Sequence, residues 1–128
     1  MLILIVDDAN DFAAILETKF QKLGLKTATA INGKDGIEKA RALKPNLIVL
    51  DVQMPVMDGI TTLEHLKKDH DLQNIPVVLL SNYADPRSEQ YISEEERARK
   101  KGAEDFILKT SDLDEIIARI HSILKRHT

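Results

Sequence analysis

Five short apolar runs, each followed by a stretch with helical spacing, are the feature that most restricts how this chain can fold. The runs are Leu2–Val6, Lys26–Ala30, Leu47–Leu50, Val77–Leu80 and Asp105–Leu108. Three of them are almost continuously apolar, as expected for strands that are buried on both faces of a parallel sheet. The second run, KTATA, is typical of an edge strand. This alternation with short connections predicts a doubly wound α/β domain with right-handed crossovers.

The helical stretches have their own start and stop residues. Asn10 is a candidate N-cap for the first helix, and Gly24 should end that helix. The second and third helices are predicted to begin near Asn32–Gly33 and near Gly59. The last helix has the clearest apolar stripe, preceded by a capping box of Asp112 and Glu115. The stripe consists of Leu113, Ile116, Ile117, Ile120 and Leu124.

The segment from Asn82 to Lys101 has few large apolar residues and contains the highly charged stretch SEEERARKK. Ser93 and Glu96 form a candidate capping box, which predicts a short helix from Glu94 to Lys101. Because few buried contacts would hold this segment, we expect it to be the least stable part of the domain.

Length and composition indicate one globular domain covering residues 1–128, with a hydrophobic share of 43%. The net charge of -3 is spread along the chain, which argues against direct binding of nucleic acid. The absence of cysteine excludes disulfides and thiolate chemistry. The apolar run at residues 2–6 is too short to cross a membrane, and no basic segment precedes it. We therefore expect no membrane insertion and a cytoplasmic location.

Reactive polar residues follow four of the five predicted strands. Asp7 and Asp8 follow the first strand, Asp51 the third, Ser81 the fourth and Lys109 the fifth. Taken singly, Asp51, Ser81 and Lys109 are more simply explained as part of a turn or as a strand end, and Asp7–Asp8 could equally well be a turn that leads into a helix. Because the carboxyl ends of parallel strands meet at one edge of a sheet, their coincidence predicts a functional site there.

Three neighbouring carboxylates repel one another unless a cation lies among them. Oxygen ligands without His or Cys select Mg²⁺, or a similar ion such as Mn²⁺. The metal and the Lys109 ammonium would offset the repulsion between Asp51 and an incoming phosphoryl group. The chemistry predicted for this edge is therefore phosphoryl transfer that forms a mixed anhydride on Asp51.

Four segments together resemble the receiver domain of two-component response regulators, and the resemblance spans the whole chain. They are LILIVDD (Leu2–Asp8), NLIVLDVQMPVMDG (Asn46–Gly59), VVLLS (Val77–Ser81) and GAEDFILK (Gly102–Lys109). The resemblance implies a flavodoxin-like (βα)5 fold with a five-stranded parallel sheet in the order 2-1-3-4-5. It also implies a phosphorylation-dependent switch rather than a turnover enzyme.

The resemblance assigns the metal and acceptor roles as follows. Asp51 corresponds to the phosphoacceptor and to one metal ligand. Asp8 corresponds to a direct metal ligand, and Asp7 acts on the metal through a bound water. Gln53 would offer its backbone carbonyl to the metal.

The phosphoryl contacts and the switch are assigned in the same way. Ser81 corresponds to the hydroxyl and Lys109 to the ammonium that contact the phosphoryl oxygens. Phe106 corresponds to the aromatic residue that turns inward when Ser81 moves.

The peptide bond before Thr110 is a difference from the family. Receivers usually have a proline at this position, and the bond before that proline is cis. Because a cis bond to a residue other than proline costs roughly 3–4 kcal/mol, we expect a trans bond between Lys109 and Thr110.

The resemblance also implies partners. A histidine kinase or a histidine phosphotransfer protein would donate the phosphoryl group from a phosphohistidine. A downstream protein would then bind the changed face around residues 82–109, and homodimer formation on phosphorylation is a further option.

Three alternatives stay open at this stage. The chain could be the receiver part of a longer regulator with a DNA-binding or catalytic output domain. A Mg²⁺-dependent phosphohydrolase is a rival of another class, but it would have its nucleophile after the first strand in a D-x-D pattern, whereas Asp7 and Asp8 are adjacent. A flavin-binding protein shares the fold, but it would need a Ser/Thr/Gly-rich phosphate loop where this chain has DDAND.

Overall fold

Strands and helices alternate along residues 1–82 and 85–128, which are the residues that the computed structural model describes. The elements are β1 (Leu2–Val6), α1 (Asn10–Lys22), β2 (Lys26–Ala30), α2 (Gly33–Leu43), β3 (Leu47–Asp51), α3 (Gly59–Lys68), β4 (Val77–Ser81), α4 (Glu89–Lys100), β5 (Asp105–Leu108) and α5 (Leu113–Arg126). The five predicted strands are all present, and β3 and β4 each extend one residue further than predicted.

The strands form one parallel sheet in the order β2-β1-β3-β4-β5, which confirms the predicted fold class and strand order. The KTATA strand lies at one edge, as its mixed composition indicated. β3 and β4 are buried along their full length because helices cover both faces of the sheet.

Two apolar cores lie on the opposite faces of the sheet, since successive strand residues point to opposite sides. One core joins Ile3 and Ile5 of β1 to α1 and α5, and it includes the fully buried Phe20. The other joins Leu4 and Val6 to α2, α3 and α4. This two-sided burial holds the strand ends in fixed positions relative to one another.

Side-chain caps begin three of the helices near the predicted positions. Asn32 and Asp58 each accept a backbone N–H of the first turn at 2.8 Å. Asp112 caps α5 by accepting the N–H of Asp114 at 2.9 Å, one residue before the expected partner Glu115. These bonds satisfy N–H groups that have no partner within the helix.

The prediction that Asn10 is the N-cap of α1 is wrong. Asn10 is the first helical residue, and Ala9 occupies the cap position. The reason lies in the preceding turn, where the Asp7 carboxylate accepts the Ala9 N–H at 2.8 Å. The end of the helix agrees with the prediction, because Gly24 follows it with a left-handed φ of 82°.

The predicted start of α4 is also wrong, since the helix begins at Glu89 rather than at Glu94. The cap is Ser88, whose hydroxyl accepts the Tyr91 N–H at 3.1 Å, and Ser93 lies inside the helix. The charged stretch obscured the true start because the glutamate typical of a capping box follows Ser93 and not Ser88.

Two buried residues anchor α4 to the sheet, Tyr91 and Ala98, seven positions apart on one helical face. The Tyr91 ring packs edge-on against Phe106 of β5, with the ring centroids 5.2 Å apart. Tyr83 and Ala84, which belong to the segment predicted to be weakly held, lie outside the described residues.

We predict that Ser88→Ala destabilises α4 by about 1 kcal/mol, because an orphan N–H at the helix start loses its acceptor. Ser93→Ala is the matched control, since Ser93 is exposed and alanine is a better helix former at an interior position. Amide exchange of residues 91–98 should accelerate only in Ser88→Ala. Equal exchange in the two variants would contradict the cap assignment.

Candidate functional site

The carboxyl ends of β1, β3, β4 and β5 meet at one edge of the sheet because these strands are parallel neighbours. The register pairs Asp51 with Leu80, and Ser81 with Leu108. The Lys109 N–H donates to the Ser81 carbonyl at 2.8 Å, which continues the ladder to the site. The backbone thus brings the residues that follow four strands into one small region.

Three carboxylates cluster at this edge: each of Asp7, Asp8 and Asp51 offers an oxygen, and these oxygens lie within 4.8 Å of one another. Asp7 and Asp51 are 3% and 2% exposed, whereas Asp8 is exposed to solvent. The cluster is therefore open to water on the Asp8 side and closed by the sheet on the other.

The Lys109 ammonium lies between the two buried carboxylates. Its Nζ is 2.9 Å from Asp7 Oδ2 and 3.2 Å from Asp51 Oδ2, and its side chain is 10% exposed. It also lies 5.0 Å from the centroid of the Phe12 ring, at the start of α1. One cation thus partly balances three carboxylates.

The positive charge of Lys109 does not fully offset the effects that disfavour the ionised form of Asp51. Burial raises the pKa of the Asp51 carboxyl from 3.8 to about 7, and the neighbouring Asp7 carboxylate contributes to the rise. The Lys109 ammonium and the Gln53 N–H, which lies 3.3 Å from Asp51 Oδ1, lower this pKa but do not cancel the increase. A further cation at the site would favour the ionised carboxylate.

The donor set fits a hard divalent cation. The clustered ligand atoms are carboxylate oxygens, and one of the carboxylates is already exposed to water, which Mg²⁺ retains in part of its coordination shell. The carboxylate oxygens of Asp7, Asp8 and Asp51 lie close enough together to hold such an ion. The role of the Gln53 carbonyl stays a prediction.

Ser81 and Phe106 lie on β4 and β5 and are both buried. Ser81 is the last residue of β4 and is 0% exposed. Phe106 is 1% exposed, so its ring lies inward against Tyr91. The Lys109–Thr110 bond is trans, which confirms the expectation for a bond that precedes threonine.

The loop after β3 combines close packing with one strained residue. A Cβ on Gly59 would lie 2.3 Å from the Asp51 carbonyl oxygen, so only glycine allows α3 to start this close to β3. Val56 is 81% exposed and has a φ of 72°, a conformation that β-branched residues rarely adopt. This strained valine lies in the loop that follows Asp51.

The Gln53 side chain makes a bridge that sequence patterns did not predict. Its amide nitrogen lies 3.1 and 3.3 Å from the two Glu94 carboxylate oxygens on α4. Its oxygen accepts the Asn82 N–H at 3.0 Å, just after Ser81. Because Gln53 and Glu94 are 41 residues apart, no local motif could have indicated the contact. Burial raises the pKa of the Glu94 carboxyl above its usual range.

The family model of the response regulator receiver domain matches residues 3–121. The chain belongs to this family. Receiver domains are signalling switches of two-component systems and are generally not turnover enzymes. They bind Mg²⁺ at an acidic cluster and interact with histidine kinases or phosphotransfer proteins.

Curated relatives are transcriptional regulators. The chain is 34% identical over 124 residues to the probable transcriptional regulator ycf27 of Cyanophora paradoxa, and 33% identical over 125 residues to the transcriptional regulatory protein PrrA of Mycobacterium tuberculosis. Each alignment covers 97% of this receiver domain but only 48% and 50% of the relatives. The chain therefore spans about half the length of the curated relatives that it matches.

Solved structures of receiver domains agree with the fold. The Francisella response regulator 1452 receiver domain has a TM-score of 0.85 and 30% identity, and the alignment covers 99% of this chain and 98% of that one.

In the described part of the receiver domain, none of the helices is long and apolar enough to span a bilayer.

We predict that Asp51→Asn raises the free energy of unfolding by about 1–2 kcal/mol at pH 7 without divalent cations. The shift of the Asp51 pKa from 3.8 to about 7, which already includes the opposing effect of Lys109, is equivalent to a larger energy, and screening by water reduces it. The folded state keeps a proton on Asp51 that the unfolded state releases near pH 4. The stability of the wild type should therefore fall as pH rises from about 4 to about 7.

Urea unfolding at several pH values measures this effect, with the exposed Asp71→Asn as the matched control. The Asp51→Asn variant should lack most of the decline in stability between pH 4 and pH 7. Added Mg²⁺ should stabilise the wild type more than Asp51→Asn, because the ion binds the folded state. A wild type whose stability rises through this pH range would contradict the raised pKa.

Proposed function

We propose that this receiver domain is a phosphorylation-dependent switch in which Asp51 accepts a phosphoryl group from the phosphohistidine of a histidine kinase or a histidine phosphotransfer protein. The observation that carries the proposal is the convergence of three carboxylate oxygens within 4.8 Å with the Lys109 Nζ, 3.2 Å from Asp51. An ordinary ion pair of Lys109 would involve one carboxylate. The two additional carboxylates repel each other and the first, and a second cation would reduce this repulsion.

Asp7, Asp8 and Asp51, together with the Gln53 backbone carbonyl, are the groups proposed to hold Mg²⁺ or Mn²⁺. When bound, the ion supplies positive charge that keeps Asp51 ionised and screens it from an incoming phosphoryl group. This agrees with the incomplete charge balance at Asp51, whose pKa burial raises to about 7.

In the transfer step, an Asp51 carboxylate oxygen attacks phosphorus as the N–P bond of the phosphohistidine breaks. The new O–P bond makes a mixed anhydride. The electron pair of the broken N–P bond stays on the imidazole nitrogen, which takes up a proton from water. Lys109 pairs with a phosphoryl oxygen, and the Ser81 hydroxyl donates to another. Positioning and charge stabilisation are the main requirements of this reaction.

The change then passes to the face around residues 82–109. Ser81 moves toward the phosphoryl group. The resemblance implied that Phe106 turns inward at this point, whereas its ring already lies inward against Tyr91, so in this proposal phosphorylation retains that position. Two contacts support this coupling, the Tyr91–Phe106 ring pair and the bridge from Gln53 to Asn82 and Glu94. A downstream protein would bind the altered face, or a second copy of the chain would do so.

The curated relatives are about twice as long as this chain and are transcriptional regulators. We therefore propose, as a second candidate, that the receiver controls a DNA-binding output domain in a longer regulator. In either arrangement we place the domain in the cytoplasm, where it does not itself contact nucleic acid.

We predict that acetyl phosphate with Mg²⁺ adds one phosphoryl group to the wild type, detected as an increase in intact mass. Asp51→Asn should abolish the modification because it removes the nucleophile. Asp8→Asn should slow it about tenfold or more by weakening metal binding. The exposed Asp11→Asn, near the site on α1, is the matched control and should react like the wild type. Modification of Asp51→Asn at the wild-type rate would refute the acceptor assignment.

We also predict that phosphorylation changes amide exchange in residues 85–101 by at least threefold, because the site contacts α4 through Gln53. Beryllofluoride with Mg²⁺ should reproduce the change in the wild type but not in Asp51→Asn. Exchange that stays the same in the modified wild type would show that α4 does not report the state of Asp51.

A further inference from the structure

The Lys109 ammonium contacts two carboxylates and one aromatic ring. The Nζ lies 2.9 Å from Asp7, 3.2 Å from Asp51 and 5.0 Å from the centroid of the Phe12 ring. The ring distance is within the range of a cation–π interaction, which is stronger for a desolvated cation. With its side chain 10% exposed, Lys109 is largely desolvated.

The Phe12 ring is held in place and does not lie loosely on the surface. Phe12 is the third residue of α1, it is partly buried, and it packs against the apolar core beneath α1 and α5. The same short connection that carries Asp7 and Asp8 therefore places an aromatic face beside the site.

The two carboxylate contacts of Lys109 would change during the proposed reaction. A phosphoryl group on Asp51 would turn the carboxylate into a mixed anhydride, so the partner of Lys109 would become a phosphoryl oxygen. A divalent cation beside Asp7 would compete with Lys109 for that carboxylate. The attraction of the Phe12 ring depends on neither charge, because it arises from the quadrupole of the π system.

We propose that Phe12 is a positioning residue, whose ring holds the Lys109 ammonium beside Asp51 while the anionic partners of Lys109 change. The inference rests on the proposed function, since it concerns the ammonium that meets the phosphoryl group. A lysine side chain has a flexible stem and a strongly hydrated head, so a ring contact limits both its movement and its exposure to water.

The test compares Phe12→Leu with Phe12→Tyr and Phe12→Trp. Leucine keeps an apolar side chain on α1 but lacks the π face, whereas tyrosine and tryptophan keep it. Ile15→Leu is the matched control, on an exposed position of the same helix. The rate of modification by acetyl phosphate at saturating Mg²⁺ should fall about threefold to tenfold in Phe12→Leu. It should stay within about twofold of the wild type in at least one aromatic variant and in the control.

A second measurement reports the contact directly. The Hε resonances of Lys109 should show an upfield ring-current shift in the wild type, both free and with beryllofluoride and Mg²⁺. They should return to ordinary positions in Phe12→Leu, while urea unfolding confirms that this variant is folded.

The outcomes separate the inference from the function on which it rests. A reactive wild type together with an equally reactive Phe12→Leu would overturn the role of Phe12 and leave the acceptor assignment intact. Ordinary Lys109 shifts in the wild type, or equal loss of rate in the leucine and both aromatic variants, would overturn it as well. A wild type that takes up no phosphoryl group would overturn the function itself and, with it, the role of Phe12.

Discussion

The ion pairs of Lys109 with Asp7 and Asp51 are the interaction on which the site depends. Without the ammonium, two buried carboxylates and the nearby Asp8 would face one another with no cation to offset their repulsion. Lys109 reduces this repulsion but does not remove it, because the pKa of Asp51 is still raised to about 7. The site is therefore partly compensated, and it favours both a further cation and the anionic ligand that such a cation attracts.

The parallel sheet assembles the site from a few side chains on each strand. Four neighbouring parallel strands end at the same edge, so each strand needs to supply only one or two side chains. Burial of the sheet on both faces fixes the spacing of these side chains and excludes water from Asp7, Asp51 and Ser81. The same burial that stabilises the domain thus creates an unfavourable environment for the charge of Asp51.

Two contacts link the edge of the sheet that carries the site to α4. Both are made by residues that lie two or three positions from Asp51 or Lys109 in the sequence. Gln53, two positions after Asp51, bonds to Glu94 and to the backbone of Asn82. Phe106, three positions before Lys109, packs against Tyr91. Asn82, Glu94 and Tyr91 all lie in the segment that links β4 to β5 through α4. A movement of this segment would therefore alter contacts that reach the residues beside Asp51.

The sequence by itself determined the strands, the order of the elements, the family resemblance and the edge at which Asp7, Asp8, Asp51, Ser81 and Lys109 meet. The strands and the shared edge follow from apolar periodicity and from the rule that parallel strands align their carboxyl ends, whereas the family resemblance rests on four matching sequence segments. Local capping rules failed at Asn10, where the Asp7 carboxylate accepts the Ala9 N–H in the preceding turn, and at Ser93, because the glutamate typical of a capping box follows this residue and not the true cap, Ser88.

Only the tertiary structure decided that Lys109 bridges two carboxylates beside the Phe12 ring, that Gln53 reaches Glu94, and that Asp51 has a raised pKa. Each of these depends on side-chain rotamers and helix rotations that bring together residues distant in the chain. Sequence spacing specifies which face of its own element a residue occupies, whereas the groups that it meets across the fold are set by packing.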